Sequence, residues 1–167
     1  MKNIVIVGFM GTGKTVVAKA LAEKLGRGFL ELDATIEKNE GMSIREIFQK
    51  KGEPYFREIE KQVVKEASDK QGIVMSAGGG AIIDEENFKA LRENSIIICL
   101  EASPDTIMQR TKGNTCRPLL NVPDPKKKIE ELLKQRAPYY KKADHCVNTD
   151  NLAIGQVVEK IKELTQQ

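Results

Sequence analysis

The sequence contains little cysteine and a single histidine, which limits the chemistry that it can carry. The three cysteines, Cys99, Cys116 and Cys146, are odd in number and show no spacing typical of metal ligands. They therefore predict reduced thiols in a reducing compartment rather than a disulfide framework. The single histidine, His145, is expected to have a structural role rather than a chemical one.

Long hydrophobic runs and stretches of one charge are also absent. No apolar run is long enough to span a bilayer, and the first residues lack the pattern of a signal peptide. Acidic and basic residues are interspersed and the net charge is only +3, so no nucleic-acid-binding stripe is evident. These absences predict a cytoplasmic protein that binds neither membranes nor nucleic acid.

The 167 residues are 40% hydrophobic and 31% charged, which predicts one globular domain over residues 1–167. Apolar runs alternate with helical patterns along the chain, as in an α/β domain with a parallel sheet. Ligands of such sheets collect at the carboxyl ends of the strands. The predicted strands are residues 4–7, 29–32, 73–75, 95–100 and 146–148.

Residues 8–15, GFMGTGKT, match the phosphate-binding loop G-x-x-x-x-G-K-[ST] at every fixed position. A short apolar strand precedes the loop and a helical pattern follows it, which is the context that the motif requires. The glycines let backbone N–H groups approach an anion, and the start of the helix adds its dipole. In this motif Lys14 reaches the β- and γ-phosphates and the Thr15 hydroxyl binds Mg²⁺. A glycine turn that binds nothing is the alternative.

Two carboxylates, Glu31 and Asp33, follow at the end of the second predicted strand. Alternate residues of a strand face the same side, so both are expected beside the phosphate-binding loop if the two strands are neighbours. Paired carboxylates near a phosphate can hold Mg²⁺, directly or through water, or accept a proton. Asp33 is also placed to cap the helix predicted over residues 34–39, a role that does not exclude chemistry.

The segment between the second and third strands predicts several short helices, more than one crossover needs. Arg57 lies on one of them and is placed to pair with Glu60 three residues later, the usual role of such an arginine. In nucleotide kinases, however, an insertion at this point often carries the acceptor site. A binding role for Arg57 therefore stays open.

The third predicted strand ends without the aspartate that usually binds Mg²⁺ in proteins with this loop. Three consecutive glycines, Gly78, Gly79 and Gly80, follow the strand instead. One glycine would suffice for a turn, so the run predicts a surface where a small ligand contacts backbone N–H groups. A flexible turn is the alternative.

Residues 111–124 contain one glycine and two prolines without helical periodicity, which predicts a lid or binding loop. Arg117 is its obvious anion-binding group, and Arg110 lies at its hinge. A surface loop with two solvated arginines is the alternative. On the next predicted helix, Arg136 could form an ion pair at the edge of the core or bind a ligand.

Together these segments resemble the shikimate kinase family in order, spacing and total length. The loop alone is shared by a large superfamily, whereas the other motifs are much more specific in combination. The resemblance implies a three-layer α/β/α fold with a parallel sheet of order 2-3-1-4-5, a substrate-binding insertion over about residues 33–61 and a lid over about 111–124. It is carried by residues 8–15, Asp33, Phe56 and Arg57 with Glu60, residues 78–81, residues 114–120 and Arg136 with Tyr139.

The resemblance further implies a monomer that transfers the γ-phosphoryl group of ATP to the 3-hydroxyl of shikimate, with Mg²⁺, in aromatic amino acid biosynthesis. The implied catalytic residues are Lys14, Asp33 as the candidate base and Arg117 as a mobile cation for the transferred group. ATP would be bound by Gly11, Thr12, Gly13, Lys14, Thr15, Val16, Arg110 and Arg117. Shikimate would be bound by Asp33, Arg57, Gly78, Gly79, Gly80 and Arg136, and the metal by Thr15 and, through water, Glu31.

The sequence departs from the family pattern at three places. Glu31 stands where the family commonly has aspartate, and residues 149–154 lack the arginine and proline that some members place near adenine. Cys116 precedes the lid arginine where other members often have a β-branched residue. Because a nearby arginine can lower the pKa of a thiol, we expect Cys116 to be modifiable in the ligand-free protein.

Two other functions stay open at this point. One keeps the reaction and changes the acceptor to another carboxylate such as gluconate, because two arginines select a carboxylate and not a ring. The other is a nucleotide-hydrolysing switch or a nucleotide-dependent binding module. A switch needs a group that positions water, and no glutamine in a recognisable switch segment is evident.

Overall fold

Strands and helices alternate along the residues that the computed structural model describes, 1–113 and 120–166. The strands are β1 (Asn3–Gly8), β2 (Phe29–Glu31), β3 (Val74–Ser76), β4 (Ser95–Glu101) and β5 (His145–Asn148). The α-helices are α1 (Lys14–Leu25), α2 (Leu32–Glu40), α3 (Ile44–Lys51), α4 (Glu53–Ser68), α5 (Glu85–Glu93), α6 (Pro104–Thr111), α7 (Pro125–Tyr140) and α8 (Ile154–Thr165). A short 3₁₀ helix covers Ala81–Ile83.

The five strands form one parallel sheet in the order β2-β3-β1-β4-β5, which confirms the predicted topology. β1 is central, and its Ile6 lies opposite Ser76 of β3 and Ile98 of β4. The chain leaves β1 through α1 on one face and leaves β3 through α5 on the other. Neighbouring strands whose connections diverge in this way open a crevice at their carboxyl ends.

The side chains of β1 alternate between two apolar cores, one on each face of the sheet. Val5 and Val7 pack in a core with side chains of α4, α5 and α7, and Ile4 and Ile6 pack in a core with α1 and α8. Burial on both faces explains why the β1 sequence is continuously apolar and shows no polar alternation. The result is the three-layer arrangement that the sequence predicts.

Side chains cap the starts of several helices. Ser43, Asp84 and Ser103 accept hydrogen bonds from backbone N–H groups in the first turns of α3, α5 and α6. Ser43 and Glu46 form a capping box. These caps satisfy N–H groups that a helix start otherwise leaves without partners, so the boundaries are set locally.

The start of α2 differs from the prediction. β2 ends at Glu31 and α2 begins directly at Leu32, with Glu31 as its N-cap residue. Asp33 therefore lies inside the first helical turn, and both its predicted capping role and its predicted place on a strand are wrong. An acidic residue in a first turn is favoured by the helix dipole, and its carboxylate is left to other partners.

Gly8, at the junction of β1 and the phosphate-binding loop, is expected to tolerate no side chain. Its φ angle is 139°, and a Cβ atom there would overlap the backbone carbonyl oxygen of Leu100 on β4. Gly8→Ala should lower the free energy of unfolding by roughly 2–5 kcal/mol, measured by urea denaturation. The control is Gly26→Ala, which has a φ of 62° and no heavy atom within 4 Å of the new Cβ. The free energy of unfolding of this control variant should fall by only about 1–2 kcal/mol. An equal fall in both variants would contradict the prediction.

Within residues 1–113 and 120–166, none of the helices combines the length and the apolar character that crossing a bilayer would require.

Candidate active site

The phosphate-binding loop connects the carboxyl end of β1 to the first residue of α1. Gly11 and Gly13 have φ angles of 78° and 91°, a conformation that favours glycine. The buried Thr12 hydroxyl donates a hydrogen bond of 2.7 Å to the Phe9 carbonyl oxygen and holds the turn closed. No side chain of residues 1–113 or 120–166 caps the start of α1, so its first N–H groups suit an anion.

Lys14 and Asp33 face the same cleft beside this loop. The Lys14 Nζ donates a hydrogen bond of 3.0 Å to the Phe9 carbonyl oxygen. Burial raises the pKa of the Asp33 carboxyl above its ordinary value, while the positive charge of Lys14 partly opposes that rise. Asp33 is thus a more basic carboxylate than an exposed aspartate, and a cation stands close to it.

Thr15 and Glu31, the two predicted metal ligands, contact each other directly. The Thr15 hydroxyl donates a hydrogen bond of 2.6 Å to Glu31 Oε1. A hydroxyl and a carboxylate are hard oxygen donors, which Mg²⁺ prefers, so the residues present fit this ion.

Arg57 makes the ion pair that its position on the helix predicts, and it also lines the cleft. Its guanidinium Nη1 lies 2.8 Å from Oε1 of Glu60, which is 2% exposed, and Nη2 lies 3.5 Å from Glu53. Burial raises the pKa of Glu60, and the positive charge of Arg57 opposes that rise. A guanidinium has five N–H donors, so these two ion pairs leave donors for a ligand.

Arg136 extends from α7 into the same cleft. Its guanidinium carbon lies 5.5 Å from the centroid of the Phe9 ring. No carboxylate of the described residues pairs with it within ion-pair distance, so the alternative of an ion pair at the core edge receives no support there. A guanidinium held by an aromatic face and without an acidic partner is suited to an anionic ligand.

The three glycines after β3 make room for the three predicted substrate residues. A Cβ on Gly78 would lie 2.8 Å from Asp33 Oδ1, and one on Gly80 would lie 3.0 Å from Arg57 Nη2. A Cβ on Gly79 would lie 3.2 Å from Arg136 Nη1. None of the three has a positive φ angle, so a turn does not require them. Close approach of side chains, rather than backbone flexibility, explains the run.

The resulting cleft has a volume of about 410 Å³ and lies at the carboxyl ends of β1, β2 and β3. Two aromatic rings, Phe48 and Phe56, line it with their centroids 4.8 Å apart. The cleft brings together most of the predicted catalytic, metal and substrate residues. These are Lys14, Thr15, Glu31, Asp33, Arg57, Gly78, Gly79, Gly80 and Arg136.

Sequence reasoning missed Tyr140, which fixes the position of the glycine run. The buried Tyr140 hydroxyl donates a hydrogen bond of 2.8 Å to the Gly79 carbonyl oxygen. Burial raises the pKa of this phenol to about 12, so it stays a donor at neutral pH. Tyr140 follows Arg136 by four residues, so both lie on the same face of α7. This spacing could have indicated its role from the sequence.

The residues predicted near the nucleotide base lie on the other side of the loop. Arg110 donates hydrogen bonds of 3.0 and 3.2 Å to the side chain and carbonyl of Thr149, and one of 3.3 Å to the Gly11 carbonyl. This places the hinge arginine between the loop and residues 149–154. Val16, by contrast, is exposed and does not line the cleft.

The remaining predictions concern residues that the structure does not describe. Arg117 and Cys116 lie in the segment 114–119, outside the described residues, as does most of the predicted lid motif. Their roles stay predictions.

Comparisons with known proteins agree with this geometry. A family model described as shikimate kinase matches residues 10–166. The shikimate kinase of Thermodesulfovibrio yellowstonii is 49% identical over 161 residues, which cover 96% of this chain and 93% of that one. A solved shikimate kinase from Acinetobacter baumannii, in complex with shikimate, is 39% identical, with a TM-score of 0.94 over 99% of this chain and 93% of its own.

A gluconokinase from Sinorhizobium meliloti also superposes on the chain, with a TM-score of 0.65 over 99% of this chain and 94% of its own. It is only 17% identical, so the likeness shows a common fold alone.

Proposed function

The chain belongs to the shikimate kinase family, and from this we propose that its cleft transfers the γ-phosphoryl group of ATP to the 3-hydroxyl of shikimate. The family uses ATP as phosphate donor and acts in aromatic biosynthesis. One observation on this chain supports the proposal most. Gly78, Gly79 and Gly80 let a carboxylate and two guanidinium groups converge beside the phosphate-binding loop.

The donor side is the loop and the start of α1. Backbone N–H groups around Gly11 and Gly13 and the Lys14 ammonium would hold the β- and γ-phosphates. Thr12, Thr15, Val16 and Arg110 would complete the nucleotide site, as the family resemblance implies. The hydrogen bond from Arg110 to Thr149 supports a position of the Arg110 guanidinium beside the nucleotide base.

Thr15 and Glu31 are proposed to hold Mg²⁺, Glu31 through a water molecule. The ion would neutralise negative charge on the phosphate oxygens. Their mutual hydrogen bond keeps two oxygen donors at the edge of the loop where the terminal phosphates would lie.

The acceptor side is the pair of guanidinium groups and Asp33. Arg57 and Arg136 would bind the planar carboxylate of shikimate, because two guanidinium forks match carboxylate oxygens. Asp33 would accept a hydrogen bond from the 3-hydroxyl and orient it toward the γ-phosphorus. A dissociative transition state requires little removal of the proton before bond formation, so orientation is the first role of Asp33 and proton acceptance the second.

Arg117 is proposed to neutralise charge that develops on the transferred group. A lid over residues 111–124 would also exclude water, which otherwise competes with the acceptor for the phosphoryl group. We further propose that the enzyme is a monomer in the cytoplasm. The two described cysteines are free thiols, as expected in a reducing compartment.

The proposal is tested by measuring ADP release from Mg-ATP with shikimate, with gluconate and without acceptor. We expect fast release with shikimate alone, because the chain belongs to the shikimate kinase family and its cleft offers two cations for the carboxylate of this acceptor. Release with gluconate alone would retain the reaction and change the acceptor. Release without any acceptor would indicate a nucleotide hydrolase and contradict the proposal.

A further inference from the structure

Three side chains with metal-binding atoms lie together on β4 and β5, outside the active-site cleft. Cys99 and Cys146 are opposite each other in the parallel pairing of these strands. Glu101 follows Cys99 by two residues, so its side chain leaves the same face of the sheet. The two sulfur atoms and a Glu101 carboxylate oxygen all lie within 4.8 Å of one another.

We propose that Cys99, Cys146 and Glu101 form a binding site for a thiophilic divalent cation of the zinc class. Zinc binds sulfur at about 2.3 Å and carboxylate oxygen at about 2.0–2.2 Å, so two ligand atoms of a tetrahedral site lie about 3.6–3.8 Å apart. The ligand atoms, at most 4.8 Å apart, need to approach one another by at most about 1.2 Å to reach that geometry. Rotation of the exposed Glu101 and Cys146 side chains can supply this movement.

The surroundings provide both a rigid base and an entry path for the ion. Cys99 is fully buried in the core packed against α7, whereas Cys146 is exposed on the edge strand. Glu101 is exposed and lines a cleft of about 350 Å³ together with Ser103 and Asn148. An ion can therefore enter from the cleft and keep a water molecule in its fourth position.

A disulfide between the two cysteines is the competing explanation for the pair. Both cysteines are free thiols in the structure, and Cys99 is buried, so a thiol or oxidant in solution has little access to its sulfur. A metal ion instead displaces the two thiol protons as it binds, so each ion bound releases two protons and forms two metal–sulfur bonds. Together with one carboxylate, the two thiolates give the bound zinc a net charge of −1.

The donor set distinguishes this site from the one proposed for Mg²⁺. Sulfur ligands select soft or borderline cations such as Zn²⁺ and Co²⁺, whereas Thr15 and Glu31 offer only oxygen. Spectroscopic signals that require sulfur therefore report on Cys99 and Cys146 and not on the nucleotide site.

The test is titration of the full, reduced, metal-free chain with Co²⁺ and then with Zn²⁺, without nucleotide. We expect one equivalent of Co²⁺ to produce thiolate-to-cobalt charge-transfer absorption, and Zn²⁺ to remove it by displacement. Cys146→Ser should weaken Zn²⁺ binding by more than about 100-fold, since loss of an outer-sphere partner alone typically costs about 10–100-fold. Glu101→Gln should weaken Zn²⁺ binding less and leave the sulfur signal in place.

Cys116→Ser is the matched control, because it removes the one cysteine that is not among the proposed ligands and should leave affinity and absorption unchanged. Circular dichroism of each variant verifies folding, and the exposed position of Cys146 favours a folded serine variant. The proposal is overturned if no sulfur-dependent absorption appears, or if the absorption survives Cys146→Ser and disappears with Cys116→Ser. Oxidation to a Cys99–Cys146 disulfide in place of metal binding would overturn it as well.

Discussion

Replacing Asp33 by asparagine is expected to lower kcat by about 10²–10⁴-fold, the range typical for loss of a general acid–base group. Asparagine keeps the size of the side chain and its fit against Gly78, but it removes the negative charge that we propose orients the acceptor hydroxyl. The measurement is steady-state ADP release with shikimate. Asp84→Asn is a control, since Asp84 caps α5 away from the loop. Turnover of Asp33→Asn close to wild type would rule out an essential anionic role.

The same substitution is expected to stabilise the protein at neutral pH. Burial raises the pKa of Asp33 in the folded chain above its value of 3.8 in the unfolded chain. The folded state therefore binds a proton more tightly than the unfolded state, and ionisation of Asp33 destabilises the fold as pH rises through the raised pKa. Asp33→Asn should have a higher Tm than wild type at pH 7, and the difference should shrink as pH falls to about 3.8. An unchanged or lower Tm at pH 7 would contradict a desolvated carboxylate.

The pH dependence of the rate follows from the same shift. If the ionised form of Asp33 orients the hydroxyl as proposed, kcat/KM should fall on the acid side at a pH above the ordinary range of aspartate. Asp33→Asn should lack this acid limb in whatever activity it retains.

Replacing Arg136 by alanine is the second change with a large expected effect. Truncating one partner of a buried charge pair typically costs about 2–5 kcal/mol, so kcat/KM for shikimate should fall roughly 30-fold to several thousand-fold. The loss should appear mainly in KM for shikimate, because the carboxylate is bound equally before and during transfer. KM for ATP should change little, since Arg136 lies on the acceptor side of the cleft.

Two further variants test why Arg136 matters. Arg136→Lys keeps the charge but loses the planar fork, and it should recover only part of the affinity. Lys134→Ala removes an exposed cation two residues earlier on α7 and should leave KM for shikimate near wild type. If Lys134→Ala and Arg136→Ala raise KM equally, the effect comes from general positive charge and the proposed carboxylate contact is wrong.

Local sequence patterns were sufficient for the strands at the centre of the sheet and for the layered α/β class, whereas the strand order was predicted from the family resemblance. The continuous apolar runs of β1 and β4 predict strands buried on both faces, and these strands lie at the centre of the sheet. The phosphate-binding loop was equally predictable, because its eight residues impose their own backbone conformation. Capping serines and aspartates marked three helix starts by bonds that span only two or three residues.

The end of β2 shows where local reasoning failed. The sequence places Asp33 on a strand or at a helix cap, but pairing of β2 with β3 stops at Glu31 and the helix begins one residue later. Strand length is decided by the partner strand, which is distant in sequence. Asp33 still lies beside the phosphate-binding loop. The first turn of α2 brings it there, and not the alternation of side chains along a strand that the sequence predicts.

The sequence by itself determined the layered α/β fold, the phosphate-binding loop and the chemical types of the side chains proposed to bind the acceptor. Each of these depends on contacts within a few residues or on the periodicity of apolar side chains. Only the tertiary structure decided that Gly78, Gly79 and Gly80 fit against Asp33, Arg136 and Arg57, that Tyr140 holds the run, and that Cys99 faces Cys146. Those contacts join segments about 20–60 residues apart, so they exist only after the sheet and its helices have packed.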